Sequence, residues 1–143
     1  MSVNIAGKQF NQPQLGQQVQ QVLQDTSLSA DSLHLEITEG AIMDGADGAA
    51  EILLQLRNLG VQLWIDDFGT GYSSLGRLYH FPIHGLKIDR SFVSQIENAD
   101  NAPIVETILT LARQIQLEVT AEGIETANQL ARLQTLQCEY GQG

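Results

Sequence analysis

The sequence predicts an α/β fold in which parallel strands alternate with amphipathic helices. Short apolar runs recur along the 143 residues, and stretches whose apolar residues repeat with helical spacing separate them. Neighbouring parallel strands need a crossover connection, which is usually a helix. We expect five complete strand–helix units and the start of a sixth. They fit an open doubly wound sheet or most of an eight-unit barrel, and length favours the sheet because such barrels typically have about 250 residues.

The first three units follow one another closely. Their strands are predicted at residues 2–6, 33–38 and 61–66. The first helix is expected to open at Pro13, with Val22 on its apolar face, and Gly60 ends the second helix. A third, short helix is expected at about 73–80, before Pro82.

The second half continues the same alternation. Its strands are predicted at residues 85–89, 118–124 and 139–143, the last of which only begins. One helix opens at Pro103 with Ile104 on its apolar face, and the next opens with Thr126 and Gln129 in capping-box spacing. No linker interrupts the pattern, so residues 1–143 are expected to form one domain.

Composition excludes several classes of function. Seventeen acidic residues against seven basic ones give a net charge of -10. This balance argues against binding to a DNA or RNA polymer, since such binding depends on Lys and Arg. The single Cys138 excludes an internal disulfide and is interpreted as buried filler. No apolar run approaches the roughly 18 residues of a membrane span, and no secretion signal is present, so we expect no membrane contact and a cytoplasmic location.

Polar residues recur at or just beyond the carboxyl ends of the predicted strands, where sites lie in parallel α/β folds. They are Asn4, Glu36, Glu39, Asp66, Asp67, Lys87, Glu122, Glu125 and Gln142. Several have a structural alternative: Asn4 could bond locally, Asp67 could cap the next helix, and Lys87 could pair with Asp89. Glu36 lies inside an apolar strand and must be paired, metal-bound or protonated. Because five strands repeat the pattern, a shared site is favoured.

The glycines after the double aspartate allow two interpretations. Gly69 and Gly71 could cradle a phosphate at a helix N-terminus or form a mobile rim loop. Ser74 occupies the third-glycine position of a dinucleotide fingerprint, and no P-loop lysine follows, so the loop is favoured. Ser73 is interpreted as a helix cap. The histidines show no ligand spacing, although His34 shares the face of Glu36.

A set of oxygen ligands of this kind favours hard cations, Mg²⁺ or Mn²⁺ before Zn²⁺. Hard cations beside a lysine suit phosphoryl chemistry, in which two metals about 3.5–4 Å apart can activate water and stabilise a leaving oxygen. The metals would also let an acidic protein approach an anionic substrate.

Six motifs occur in a familiar order: SVN, LEITE, DDFGTGYSSL, LKIDRSFV, AEGIET and a final QG. In order and spacing they resemble the EAL domain family of bacterial cyclic di-GMP phosphodiesterases over essentially the whole chain. The resemblance implies a partial TIM-like (βα) barrel. It also implies a phosphoric diester hydrolase that converts cyclic di-GMP to the linear dinucleotide with Mg²⁺ or Mn²⁺ in a two-metal site.

The resemblance also implies roles for individual residues. Three match the metal ligands of the family, and Asp67 matches the residue that serves the second metal; the three are Asn4, Glu36 and Asp66. Lys87 and Glu122 match the pair that orients and activates the attacking water. Gln142 matches a residue of the catalytic rim, and Glu39 one that steadies the glycine loop.

One feature of the family is missing from the 143 residues. The Glu-Ala-Leu motif, whose glutamate is a metal ligand, would precede Met1, and the last strand is cut after Gln142. We therefore expect a segment of an EAL domain with weak or absent activity of its own. Open strand edges predict self-association or dimerisation. Two alternatives remain: a non-catalytic module that binds cyclic di-GMP or a protein partner, and an enzyme acting on another substrate.

Overall fold

A computed structural model of the chain describes residues 1–44, 46–71, 78–97 and 102–143. These residues contain six strands: β1 (Ser2–Ile5), β2 (His34–Thr38), β3 (Gln62–Phe68), β4 (Gly85–Ile88), β5 (Glu118–Glu122) and β6 (Tyr140–Gln142). Pairing is parallel between β1 and β2, between β4 and β5, and between β5 and β6. The predicted α/β class with parallel strands is confirmed.

Helices separate the strands along the described chain. They are α1 (Gly7–Phe10), α2 (Leu15–Thr26), α3 (Glu39–Asp44), α4 (Ala46–Asn58), α5 (Arg90–Val93), α6 (Ala102–Gln114) and α7 (Ala127–Thr135), with a 3₁₀ turn at Ala30–Ser32. The sequence did not predict α1, α3 and α5, because helices of four to six residues are too short to display a helical period. Most of the helix predicted at 73–80, with its expected cap Ser73, lies outside the described residues.

The chain divides into two compact units, and β3 contributes to both. The first unit comprises residues 1–65 and 71–84, and the second comprises residues 66–70 and 85–143. Strand order is β1-β2-β3 in the first unit, and it runs from the end of β3 through β4 and β5 to β6 in the second.

The core of the first unit consists of the inner strands and the apolar faces of α2 and α4. Leu35, Leu63 and Leu53 are at most 2% exposed. Leu15 and Val19 of α2 are buried as well. The prediction that Val22 belongs to this buried face is wrong, because its side chain is 56% exposed.

The core of the second unit lies between α6 and the strands β4 and β5. Val105, Leu109 and Ala112 form the most deeply buried stripe of α6. The predicted Ile104 is 40% exposed instead, because it lies at the margin of the stripe set by this i, i+4, i+7 spacing. The capping box predicted for α7 is present: Gln129 N–H donates to Thr126 Oγ1, and Thr126 N–H donates to Gln129 Oε1.

Within the described ranges, no helix combines the length and apolar character that crossing a membrane requires.

Candidate active site

Three carboxylates meet at one edge of the second unit. Asp66 and Asp67 lie near the end of β3, and Glu122 is the last residue of β5. One carboxylate oxygen from each lies within 4.8 Å of the others. The carboxyl ends of parallel strands meet at the same edge of a sheet, and this placement explains why residues 55 positions apart in sequence converge.

Lys87 joins two of these acids. Its Nζ lies 2.5 Å from Glu122 Oε1 and 3.7 Å from Asp66 Oδ1, and the lysine residue is only 9% exposed. In the parallel register Lys87 lies opposite Thr120, so that Glu122 is two residues further along on the same face. The structure therefore places the lysine ammonium among carboxylates of other strands.

Asp89 has a different role from the predicted pairing with Lys87. Its carboxylate accepts hydrogen bonds from the backbone N–H of Ser91, at 2.9 Å, and from the Ser91 hydroxyl. These bonds cap α5 and, as the largest cause, hold the pKa of Asp89 below its usual range. Asp89 is the N-cap of a helix that the sequence did not predict.

The backbone of Asp67 is left-handed, with φ at 53°. Consecutive strand residues normally point to opposite faces, yet Asp66 and Asp67 both contribute to the cluster. The turn that redirects Asp67 is supported by its own N–H, which donates to Asp66 Oδ1 at 3.0 Å, and by the Thr70 hydroxyl, which donates to its carbonyl oxygen at 2.8 Å. A positive φ is uncommon outside glycine, and aspartate is among the residues that tolerate it best.

The cluster holds more negative charge than Lys87 neutralises. Burial raises the pKa of the Asp67 carboxyl, and the nearby Asp66 and Asp89 carboxylates raise it further, while Lys87 offsets part of the effect. A group whose pKa is raised in the folded state stabilises the fold at low pH, and that stabilisation is lost as the pH rises through the raised value. Near neutral pH the ionised Asp67 carboxylate therefore lowers the stability of the fold, and a bound divalent cation would offset that loss.

The donor set fits a hard cation. Asp66, Asp67 and Glu122 offer carboxylate oxygens close enough together to share a divalent ion, and oxygen ligands are those that Mg²⁺ and Mn²⁺ prefer.

Gln142 lies beside the cluster in the second unit. It faces Glu122 across the β5–β6 register and lines a cleft of about 290 Å³. The other residues that line this cleft are Asp67, Asp89, Arg90, Glu122, Gly123 and Gly143.

Asn4 and Glu36 belong to the first unit and are neighbours there. They are register partners on β1 and β2, and adjacent parallel strands lie about 4.8 Å apart. Glu36 is 8% exposed, whereas Asn4 is exposed. Both residues were predicted near a strand end, and the register makes them neighbours on adjacent strands.

Glu39 is the first residue of α3 and is only 1% exposed. Its Oε2 accepts a hydrogen bond from the backbone N–H of Gly71 at 3.4 Å. A Cβ atom at Gly71 would lie 3.1 Å from the Glu39 carboxyl carbon, so glycine permits this approach. Gly69 serves a different need, because its φ is 99°.

His34, His84 and Cys138 make contacts that indicate structural roles. His34 stacks on Trp64 with ring centroids 6.1 Å apart, and His84 Nδ1 accepts the backbone N–H of Leu63 at 3.0 Å. Burial raises the pKa of the Cys138 thiol, which disfavours the reactive thiolate.

The sequence did not single out Arg90 as a cleft residue, although its position just after β4 matched that of the other polar residues.

Parallel strands that carry oxygen ligands and a lysine at their carboxyl ends define an α/β protein with a candidate site for hard cations and phosphoryl chemistry. The chain belongs to the EAL domain family, which matches residues 1–143. It is 42% identical over 144 residues to the Cyclic di-GMP phosphodiesterase NbdA of Pseudomonas aeruginosa, covering all of this chain and 18% of NbdA.

Solved structures agree with this assignment. The MucR phosphodiesterase in complex with c-di-GMP is 43% identical and superimposes with a TM-score of 0.95, covering 99% of this chain and 58% of that one. The BlrP1 calcium/cy-diGMP complex of Klebsiella pneumoniae is 29% identical with a TM-score of 0.90, covering 99% and 36%. The chain thus matches EAL TIM-barrel structures over part of their length and about a fifth of NbdA, and the open doubly wound sheet is wrong.

Proposed function

We propose that this chain is a segment of a metal-dependent phosphodiesterase that hydrolyses cyclic di-GMP to the linear dinucleotide. The observation that carries the proposal is Lys87, whose ammonium lies between Glu122 and Asp66 in a cluster of three carboxylates. The family assignment and the c-di-GMP complexes of similar structures support the choice of substrate.

Asp66 and Asp67 are the proposed metal ligands of the second unit, and Asn4 and Glu36 are the proposed ligands of the first. When bound, Mg²⁺ or Mn²⁺ would polarise the phosphodiester and lower the pKa of a coordinated water. Glu39 holds Gly71 through the hydrogen bond to its N–H and so positions the loop after β3.

Glu122, Lys87 and Gln142 are proposed to accept the proton of the attacking water and to contact the substrate. Glu122 offers a carboxylate that can accept a proton from the attacking water, and Lys87 orients that carboxylate through its 2.5 Å ion pair. Gln142 lies opposite Glu122 and can hydrogen-bond to substrate with its amide.

Purified chain is expected to bind cyclic di-GMP only when Mg²⁺ or Mn²⁺ is present and to hydrolyse it slowly or not at all. The 143 residues contain no Glu-Ala-Leu sequence, and a site without that carboxylate would bind metal more weakly. Calorimetry with and without EDTA measures the binding, and chromatography of the nucleotides measures turnover.

The outcomes of this experiment distinguish a weakly active phosphodiesterase segment from a non-catalytic binding module and from an enzyme acting on another substrate. Tight binding that survives EDTA supports a non-catalytic binding module, and fast turnover contradicts the expected weak activity. Absence of binding under both conditions overturns the proposed substrate. Hydrolysis of a model phosphodiester without any response to cyclic di-GMP would favour an enzyme acting on another substrate.

We also propose that the chain forms dimers through the first unit. A groove of about 490 Å³ runs along β1 and α2, and no residue that lines it has a charged side chain, although the chain has a net charge of -10. Val3 and Val22 in this groove are 38% and 56% exposed. Two copies of such an apolar surface can pair about a two-fold axis.

The Val22→Lys variant is therefore expected to shift the chain toward monomer in analytical ultracentrifugation, raising the dimer dissociation constant about tenfold or more, because it buries a charge in an apolar interface. Leu54→Lys is the matched control, since Leu54 is 51% exposed on α4 and does not line the groove. A wild-type chain that stays monomeric at high concentration contradicts the proposal.

A further inference from the structure

Arg90 is a cation of the second unit to which the proposed mechanism gives no task. It is the first residue of α5, directly after β4 and its cap Asp89, and it lines the cleft together with Asp67, Glu122 and Gln142. Its side chain is exposed. Among the residues that the structure describes, Lys87 is ion-paired with carboxylates, whereas Arg90 shows no such ion pair.

The backbone around Gly123 fixes the base of the Arg90 side chain. Gly123 follows Glu122 at the end of β5, has φ at 70°, and lies so close that an added Cβ would come within 2.6 Å of Arg90 Cβ. Such an approach is possible only with glycine. It holds the Arg90 stem against the end of β5, beside the carboxylate proposed as the base.

Arg90 is a positively charged side chain in a cleft whose other charged residues are acidic. Asp67, Asp89 and Glu122 make the lining acidic, and Arg90 is the basic residue among those that line it. Ser91 donates both of its hydrogen bonds to Asp89 Oδ1, and no ion pair between Asp89 and Arg90 occurs within the described residues. A guanidinium presents a planar fork of N–H donors that matches two oxygens of one phosphate.

We propose that Arg90 binds the phosphate of a cyclic dinucleotide that is not being hydrolysed. This inference rests on the proposed function, because a cyclic dinucleotide carries two phosphates. Cations at the carboxylate cluster serve only the phosphate that reacts, and the second phosphate needs a positive partner elsewhere in the cleft. Arg90 is thus a substrate-binding residue and not a metal ligand.

The experiment compares variants by calorimetry with cyclic di-GMP in Ca²⁺ at several salt concentrations. Arg90→Ala is expected to bind about tenfold more weakly, with a shallower dependence on salt, because one charge-assisted contact is lost. Arg90→Lys keeps the positive charge but lacks the planar fork of N–H donors, so its affinity should lie between those of the wild type and Arg90→Ala. Arg132→Ala removes an exposed arginine of α7 that does not line the cleft and should bind like wild type.

Two further readouts distinguish the role of Arg90 from those of its neighbours. Mn²⁺ affinity should be unchanged in Arg90→Ala, and a parallel loss of metal binding would overturn the inference. Cyclic di-AMP, to whatever extent it binds, should lose the same factor. A loss confined to cyclic di-GMP would assign Arg90 to the guanine and overturn the phosphate contact.

A probe other than the substrate separates this inference from the proposed function. Inorganic pyrophosphate is titrated into ¹⁵N-labelled chain while the Arg90 Nε–H signal is followed by NMR. Its displacement, with no response of the chain to cyclic di-GMP, would retain the anion site and reject the proposed substrate. If neither pyrophosphate nor cyclic di-GMP moves the Arg90 signal, the inference is wrong.

Discussion

The Asp66→Asn variant is expected to bind Mn²⁺ about 100-fold more weakly than the unchanged chain. Asp66 contributes an oxygen to the cluster with Asp67 and Glu122, and its amide counterpart removes the negative charge that attracts the ion. Loss of a residue that only supports a ligand typically weakens metal binding about 10–100-fold, and loss of a charged ligand should reach the upper end of that range. Titration followed by electron paramagnetic resonance of free Mn²⁺ measures the affinity directly.

Asparagine is a suitable replacement because its carbonyl oxygen can still accept the N–H of Asp67, which Asp66 Oδ1 accepts at 3.0 Å. The turn at Asp67 should therefore remain, and circular dichroism should show an unchanged fold. Loss of that turn would make the variant uninformative about ligation, so Asp67→Asn serves as a second variant: asparagine tolerates the left-handed backbone at this position.

Glu118→Gln is the control for net charge. Glu118 is an exposed residue that begins β5, at the opposite end of the strand from Glu122. The Glu118→Gln substitution removes the same unit of charge from a chain of net charge -10 without altering the cluster. If both variants weaken Mn²⁺ binding equally, the effect is a general one of charge, and Asp66 is not a ligand.

The strands were predictable because each is a short apolar run that ends in a polar residue. The ion-pair partners of Lys87 could not be predicted, because the period-two spacing of a strand indicated Asp89 on the same strand. Its observed ion pairs depend on the register between β4 and β5, which places Lys87 opposite Thr120 and within reach of Glu122. Register is set by how strands pack, and a single strand carries no information about it.

The direction of Asp67 was likewise beyond the sequence. Alternation along a strand would separate its carboxylate from that of Asp66, and only the left-handed backbone at Asp67 brings the two together. Non-glycine residues in this conformation are concentrated at functional sites, where surrounding structure maintains them. Here hydrogen bonds to Asp66 and from Thr70 supply that support.

The crowding of carboxylates links stability to cation binding. Asp66, Asp67 and Glu122 lie close together, and burial, together with the neighbouring Asp66 and Asp89 carboxylates, raises the pKa of Asp67. Lys87 is the positive group seen against two of the three. The same arrangement that would attract Mg²⁺ therefore makes the metal-free fold depend on one lysine.

Replacing Lys87 by methionine is expected to destabilise the chain by about 2–3 kcal/mol in EDTA, and by clearly less in Mg²⁺. Removing one partner of a buried ion pair costs about 3–5 kcal/mol, and the Asp66 and Glu122 side chains, which are 16% and 22% exposed, reduce this through partial hydration. Methionine retains most of the volume of the lysine stem, so packing changes little. Urea unfolding followed by circular dichroism measures both values.

Rescue by Mg²⁺ is the decisive part of this prediction, because a divalent ion among Asp66, Asp67 and Glu122 would replace the lost ammonium charge. Lys8→Met makes the same substitution at an exposed residue of α1 and should alter stability little in either condition. An equal loss with and without Mg²⁺ would mean that the carboxylates hold no cation, and Lys87 would then be a purely structural ion-pair partner. A loss confined to EDTA, absent from Lys8→Met, would tie the stability of the second unit to the metal that its cluster is proposed to bind.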